Sequence, residues 1–173
     1  MTASEQQCFT EPANDSDAII CVGSAKLHVN KRFMASHSSF FDKLFFGDFA
    51  DQNRDEVELK DLDQGKFLKF LRAIDSGLPQ LTWENLDVLL EMANRFGCQS
   101  LLRECMSFMC GDRDRSQIFE KLLLADRHHL ADMADRIVEG MSGTVILSAF
   151  KFGHGCYSNE LMTRLSNRLG SIM

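Results

Sequence analysis

The sequence predicts an α+β fold, in which a few short strands near the amino terminus precede a cluster of helices. Three observations predict this class. Runs at 18–29 and 56–60 are apolar or alternate with the period of two that is typical of β-strands. From residue 64 onward, apolar residues recur at the spacing of amphipathic helices. A chain of 173 residues that is 45% hydrophobic is also long enough to bury one good core.

The strand predictions depend on short stretches of sequence. "AIICV" (18–22) is apolar and rich in β-branched residues, and the turn sequence "GSA" follows it. "KLHVN" (26–30) then alternates Leu27 and Val29 with polar neighbours, so the two runs predict a β-hairpin. "EVELK" (56–60) places Val57 and Leu59 on one face and predicts a third strand.

An aromatic segment lies between the hairpin and the third strand. "HVNKRFMASHSSFFDKLFFGDF" (28–49) holds six of the chain's 14 phenylalanines. Phe33 and Met34 begin a first short helix, and a serine at 36, 38 or 39 can cap a second one. Gly47 is a plausible end for that second helix.

The rest of the sequence predicts helices. "DQGKFLKFLRAIDSG" (63–77) stops before Pro79, "TWENLDVLLEMANRFG" (82–97) opens with a threonine cap, and "SLLRECMSFMC" (100–110) opens with a serine cap. "GDRDRS" (111–116) predicts a solvated joint. Beyond it, apolar positions predict further helices around Leu122, Ile137, the run "VILSAF" (145–150) and Leu165.

Composition excludes several classes of partner and location. A net charge of -6 and a pI near 5.3 argue against nucleic acid, and no apolar stretch is long enough to predict a membrane span. We expect no secretory signal, because the first residues lack both a basic and an apolar region. The six cysteines form no CxxC pair, so we expect buried, reduced thiols in the cytoplasm or the nucleus, with no metal site.

The sequence predicts neither a catalytic site nor a cofactor. It contains no GxSxG, HExxH or phosphate-binding P-loop pattern. "GHGCYS" (153–158) begins like a glycine-rich fingerprint but has Ser158 in the third glycine position. We interpret His154 and Cys156, which lie in the same stretch, as a loop histidine near a half-buried thiol.

Three stretches together resemble the BTB/POZ domain. They are "DAIICVGSAKLHVNKRFMASHSSFFDKLFFGDF" (17–49), "VELKDLDQGKFLKFLRAI" (57–74) and "TWENLDVLLEMANRFGCQSLLRECMSFM" (82–109). The pattern "KLHVNK…ASHSSFF" is most similar to the stand-alone or MATH-linked BTB proteins expanded in nematodes. The resemblance implies a BTB fold with a short mixed three-stranded sheet at 15–110. Residues 1–14 are polar and lack periodicity, so we expect a flexible tail there. Residues 111–173 more weakly resemble a helical BACK-type extension.

The resemblance implies an interaction module that dimerises and often recruits a cullin scaffold for ubiquitin ligation. Asp17 and Lys31 match a charged pair near the family's dimer interface. We assign Phe33, Phe40 and Phe41 to the core or to the dimer face, because clustered rings bury a large area per residue.

The resemblance also implies a candidate cullin contact. In the family, a hydrophobic residue followed two positions later by Glu contacts the cullin, and the matching positions here are Phe49 and Asp51. Asp has a shorter reach than Glu, and Phe49 could instead fold back onto the core. We add Phe46, which lies beside the same acidic loop.

Two non-enzymatic functions remain open. In the first, the chain is a cullin adaptor; in the second, it oligomerises with itself or with other BTB proteins as a scaffold or competitor, without any cullin. We expect no MATH, kelch or zinc-finger domain in this chain, which favours the second function. The Phe49–Asp51 match and the BACK-like tail favour the first. Residues 1–16 include Pro12 and no helical apolar stripe, so the family's amino-terminal dimerisation helix is not predicted.

Overall fold

The computed structural model describes residues 9–47, 55–75, 80–111, 117–153 and 155–172, and it contains the predicted hairpin. Strands β1 (Ala18–Val22) and β2 (Ala25–Val29) are antiparallel. Gly23 begins the two-residue turn between them at φ +59°, a conformation that favours glycine. β3 (Glu56–Glu58) pairs in parallel with β1, which gives the strand order β2-β1-β3. The predicted α+β class with a mixed three-stranded sheet is therefore confirmed.

Two short helices follow the hairpin, as the aromatic segment predicts. Helix α1 (Lys31–His37) begins after Asn30, whose Oδ1 accepts the Phe33 backbone N–H at 2.9 Å. Helix α2 (Ser39–Phe46) begins after Ser38, whose hydroxyl accepts the Phe41 N–H at 3.2 Å, and it ends at Gly47. Side chains that accept these orphan N–H groups fix where each helix starts.

Three longer helices follow β3: α3 (Gln64–Asp75), α4 (Trp83–Arg95) and α5 (Gln99–Gly111). Their apolar stripes are buried as their spacing predicts. The fully buried side chains include Phe67, Phe70, Leu71, Leu86, Leu90, Met92, Phe96 and Met109. The Thr82 N–H donates to Asn85 Oδ1 at 2.9 Å, which helps to close the start of α4.

The chain divides into two compact units, Met1–Cys105 and Met106–Met173. The second unit is helical: α6 (Ile118–Arg127), α7 (Ala131–Glu139), α8 (Gly143–Phe152) and α9 (Asn159–Ile172). Its buried side chains include Leu122, Met133, Val138, Ile146, Leu161 and Leu165. The helical carboxy-terminal extension that the sequence predicts is thus present.

The expectation that the cysteines in and beside the apolar helical stripes pack in the core is only partly right. Cys98 and Cys105 are buried, but Cys110 and Cys156 are exposed and Cys21 is half-buried. All five are free thiols. Helical spacing places Cys110 near the apolar stripe of α5, but the last turn of that helix leaves it open to solvent.

Candidate protein-interaction surface

Asp17 and Lys31, the predicted charged pair, are in contact through the backbone. The Lys31 N–H donates to Asp17 Oδ1 at 2.6 Å, so the carboxylate satisfies an orphan N–H in the first turn of α1. The Lys31 ammonium lies 3.2 Å from Asp55 Oδ1. The Lys31 side chain is 16% exposed, whereas that of Asp55 is 88% exposed. Lys31 therefore links the start of β1 to the residue that precedes β3.

Asp17, Lys31 and Asp55 form a charged network, and Asp55 is the member that the sequence did not predict. Its carbonyl accepts the Ile19 N–H at 2.7 Å, which extends the parallel pairing of β1 and β3 by one residue. That parallel register brings position 55 close to position 31. A sequence contains little information about parallel register, because the two strands are far apart along the chain.

The predicted aromatic residues separate into core and surface positions. Phe41 is fully buried and packs against the Phe96 ring, with centroids 5.1 Å apart. Phe40 is 38% exposed and makes edge contacts with Phe41 and Phe96 at 5.1 and 5.4 Å. Phe33 is half-buried and lies 4.6 Å from the His37 ring. Phe41 therefore belongs to the core, while Phe40 presents part of its ring to solvent.

The connection between α4 and α5 holds Phe40 and Phe41 in place. The Ser38 hydroxyl donates to the Phe96 carbonyl, and the Phe40 N–H donates to the same carbonyl at 3.3 Å. Gly97 follows at φ +61°, and a Cβ at this position would lie 2.3 Å from Ser39 Oγ. Glycine is needed here both for its backbone conformation and for its lack of a side chain.

Phe46 is the described member of the candidate cullin contact. Its side chain is 51% exposed on the last turn of α2. Phe49 and Asp51 lie outside the described residues. Phe46 therefore provides an exposed aromatic ring at the position where the chain enters the predicted contact segment.

The outer face of the sheet has a polar cluster that crosses all three strands. Lys26 Nζ lies 2.7 Å from Glu56 Oε1, and the Cys21 thiol donates to the same oxygen at 3.1 Å. The hydrogen bonds from Lys26 and from Cys21 lower the pKa of Glu56. Burial and the neighbouring carboxylate raise the pKa of Cys21, so this thiol is a weak nucleophile.

The second unit exposes apolar side chains of its own. Leu147 and Phe152 on α8 are 52% and 53% exposed, and the Phe152 ring stacks on Phe119 at 5.3 Å. Burial raises the pKa of the nearby Tyr157 to about 12. Arg164 on α9 donates to the carboxylates of Asp135 and Glu160, the latter at 2.7 Å.

Net charge is concentrated in the first unit. Residues 1–105 contain 17 acids and 11 lysines and arginines, whereas residues 106–173 contain eight of each. A basic partner would be attracted to the first unit at long range.

Among the described residues, no group of three His, Cys, Asp or Glu side chains could hold a metal ion. Nor does any described helix combine the length and apolar character needed to cross a bilayer.

Comparison with known proteins identifies relatives of this chain. The BTB/POZ domain model matches residues 7–113. BTB and MATH domain-containing protein 38 of Caenorhabditis elegans is 30% identical over 138 residues, which are 80% of this chain and 35% of that protein. Kelch-like protein 28 of Homo sapiens is 28% identical over 93 residues, which are 54% of this chain and 16% of that protein. The chain spans less than half the length of the nematode relatives that it matches.

A solved structure is also similar to this chain. The BTB domain of zebrafish PATZ1 aligns with a TM-score of 0.47 and 18% sequence identity. The alignment covers 56% of this chain and 77% of that domain.

Proposed function

Because this chain belongs to the BTB/POZ domain family, whose members are protein–protein interaction modules, we propose that it is an adaptor that oligomerises and recruits a cullin scaffold for substrate ubiquitination. In this proposal the chain catalyses no reaction itself. Its task is to present surfaces to other polypeptides.

The observation that carries the adaptor function is the exposure of Phe46. A phenylalanine ring that is 51% exposed at the end of α2 can fill an apolar pocket on a partner. The adjoining sequence adds Phe49 and Asp51, so the proposed contact joins aromatic anchors to a carboxylate. Desolvated aromatic anchors with a polar rim are typical of interface hot spots.

Oligomerisation is assigned to the surface around α1 and α2. Phe41 is part of the core, so the ring available to a second copy is Phe40. Asp17 and Lys31 lie at the start of the neighbouring helix, where a charged network can select a partner and fix its orientation. Phe33 is half-buried and contributes less apolar area to this surface.

A pulldown with the purified amino-terminal region of a cullin tests the adaptor function. We expect the full chain to bind, and Phe46→Ala and Phe49→Ala each to weaken binding by tenfold or more, because truncating a hot spot costs about 2 kcal/mol or more. Leu147→Ala is the matched control, since Leu147 is equally exposed but lies in the second unit. Absence of binding, or binding unchanged in both phenylalanine variants, would contradict the adaptor function.

The alternative function is an oligomerising scaffold or competitor that binds BTB proteins without any cullin. The partly exposed Phe40 favours it, because this ring can serve self-association without the Phe46 contact. In this case the full chain would co-purify with a second BTB protein and would fail to retain the cullin region. Phe40→Ala would then reduce the co-purification, and Phe46→Ala would leave it unchanged.

We also propose where the chain works and how it is divided. The free thiols of Cys98 and Cys105 suit the reducing cytoplasm or nucleus, which imaging of a tagged full chain would test. We assign residues 15–110 to the interaction module and residues 111–173 to a BACK-like extension. Limited proteolysis that first cuts near 111–116 would support this division.

A further inference from the structure

A cavity of about 230 Å³ lies in the first unit, beneath the segment that precedes β1. Phe9, Ala13 and Asp15 form one wall of it. The opposite wall comes from the end of β2, from α1 and from α3. The proposed cullin contact does not use this space, and the proposed oligomer surface shares only the half-buried Phe33 with it.

The wall at residues 9–15 is held by its main chain. The Phe9 carbonyl accepts the His28 N–H at 2.7 Å, so this residue lies along the outer edge of β2. The Asp15 carbonyl accepts a hydrogen bond from Asn30 Nδ2 at 2.6 Å. Because backbone atoms make these bonds, the Phe9 and Asp15 side chains remain available to a molecule in the cavity.

The size and the lining of the cavity suit a small apolar group. Its apolar lining residues are Phe9, Ala13, Val29, Phe33, Met34 and Leu71. An apolar protein cavity of roughly 150 Å³ already accommodates benzene. The space here therefore suits one aromatic ring with a short alkyl chain.

The charges around the cavity favour a cation. Asp15 and Asp75 line it, and both residues are exposed. The described lining residues include no lysine or arginine, and His28 is the basic side chain among them. The surplus of acids in the first unit adds a long-range attraction for cations.

We propose that this cavity binds an organic cation with an apolar body, such as an arylalkyl ammonium group. The ring would lie against Phe33 and Met34, and the ammonium would lie near Asp15 and Asp75. The group could belong to a free amine or to a polypeptide that displays an aromatic ring beside a basic side chain. This proposal is independent of cullin binding, so either can fail without the other.

Titrations of the full chain followed by ¹H–¹⁵N NMR test the proposal with three probes of similar size. These are phenethylamine, the neutral 2-phenylethanol and the anion 3-phenylpropionate. We expect the amide signals of His28 and Phe33 to shift, with the amine binding roughly threefold more tightly than the alcohol and the anion binding most weakly. A capped Ala-Phe-Lys-Ala peptide distinguishes the sources: tighter binding of the peptide supports a polypeptide ligand, and tighter binding of phenethylamine supports a free amine.

Two variants locate the site. Ala13→Phe fills the cavity from an exposed lining position, so we expect it to abolish the shifts while the chain stays folded. Asp15→Asn with Asp75→Asn should remove the preference for the amine over the alcohol. The double variant Asp42→Asn with Asp61→Asn is the matched control, because it removes two exposed charges outside the lining.

Three results would overturn the proposal. The first is that no probe shifts the amide signals at about 10 mM, which would mean that the cavity does not admit ligands. The second is equal binding of amine, alcohol and anion. The third is binding of the amine that persists in Ala13→Phe.

Discussion

The Lys31 backbone N–H donates to Asp17 Oδ1 at 2.6 Å, which joins the start of β1 to the first turn of α1. The Lys31 side chain continues this connection to Asp55 at 3.2 Å. One carboxylate thus serves as a helix cap, while the ammonium beside it pairs with a different acid. The hydrogen bond to Asp17 and the ion pair with Asp55 can therefore be tested separately.

Asp17→Ala should lower the free energy of unfolding by about 1 kcal/mol, because it removes the acceptor of an orphan helix N–H. Asp17→Asn keeps a side-chain oxygen and should cost less than half as much. Urea unfolding of the two variants and of the wild type measures the difference. Equal losses in both variants would show that charge, and not the hydrogen bond, is what matters at this position.

Exchanging the charges of Asp17 and Lys31 should not restore stability. The double variant Asp17→Lys with Lys31→Asp should be no more stable than either single variant, because it loses both the hydrogen bond to the residue-31 N–H and the ion pair of Lys31 with Asp55. In contrast, a double-mutant cycle of Lys31→Met and Asp55→Asn should give a coupling of at most about 1 kcal/mol, since Asp55 is largely exposed. Clear recovery in the exchanged pair would contradict this assignment.

Gly97→Ala should destabilise the chain more than Gly23→Ala does. Both glycines have a positive φ, near +60°, but a Cβ at Gly23 meets no atom within 4 Å, whereas one at Gly97 would lie 2.3 Å from Ser39 Oγ. We expect a loss of about 1 kcal/mol at Gly23 and of about 2–3 kcal/mol at Gly97. Adding Ser39→Ala to Gly97→Ala should recover the difference, as measured by thermal or urea unfolding. No recovery would show that the extra cost has another origin.

Stability should fall as the pH rises above 9, in part because of Cys105. Burial raises the pKa of this thiol from 9.0 to about 12. Between these values the unfolded chain releases the proton and the folded chain keeps it, so unfolding becomes more favourable with increasing pH. Cys105→Ala should therefore show a weaker decline between pH 9 and 11 than wild type. Parallel declines would mean that Cys105 ionises equally in both states.

Local patterns in the sequence predict most of the fold. The alternation in β2, the Ser38 cap and the glycines at 47 and 97 each depend on neighbouring residues, and the structure places all of them as expected. These features follow from backbone geometry and from hydrogen bonding within a few residues.

The parts of the candidate surface that depend on distant residues could not be predicted in the same way. Phe40 and Phe41 are adjacent and both fit the apolar pattern of α2, yet Phe41 is fully buried against Phe67 and Phe96, whereas Phe40 touches Phe96 by an edge contact and stays 38% exposed. Which of two neighbouring rings is buried depends on where α4 and its carboxy-terminal turn lie. The Lys31–Asp55 pair likewise depends on the parallel register of β1 and β3.

Light scattering coupled to size-exclusion chromatography tests most directly the claim that this chain is an oligomerising interaction module. We predict a mass twice the chain's 19.6 kDa at high concentration. Phe40→Lys should reduce it to the mass of a single chain without unfolding, and the control Leu147→Lys should leave it unchanged. A wild-type mass of one chain at every concentration would contradict the claim.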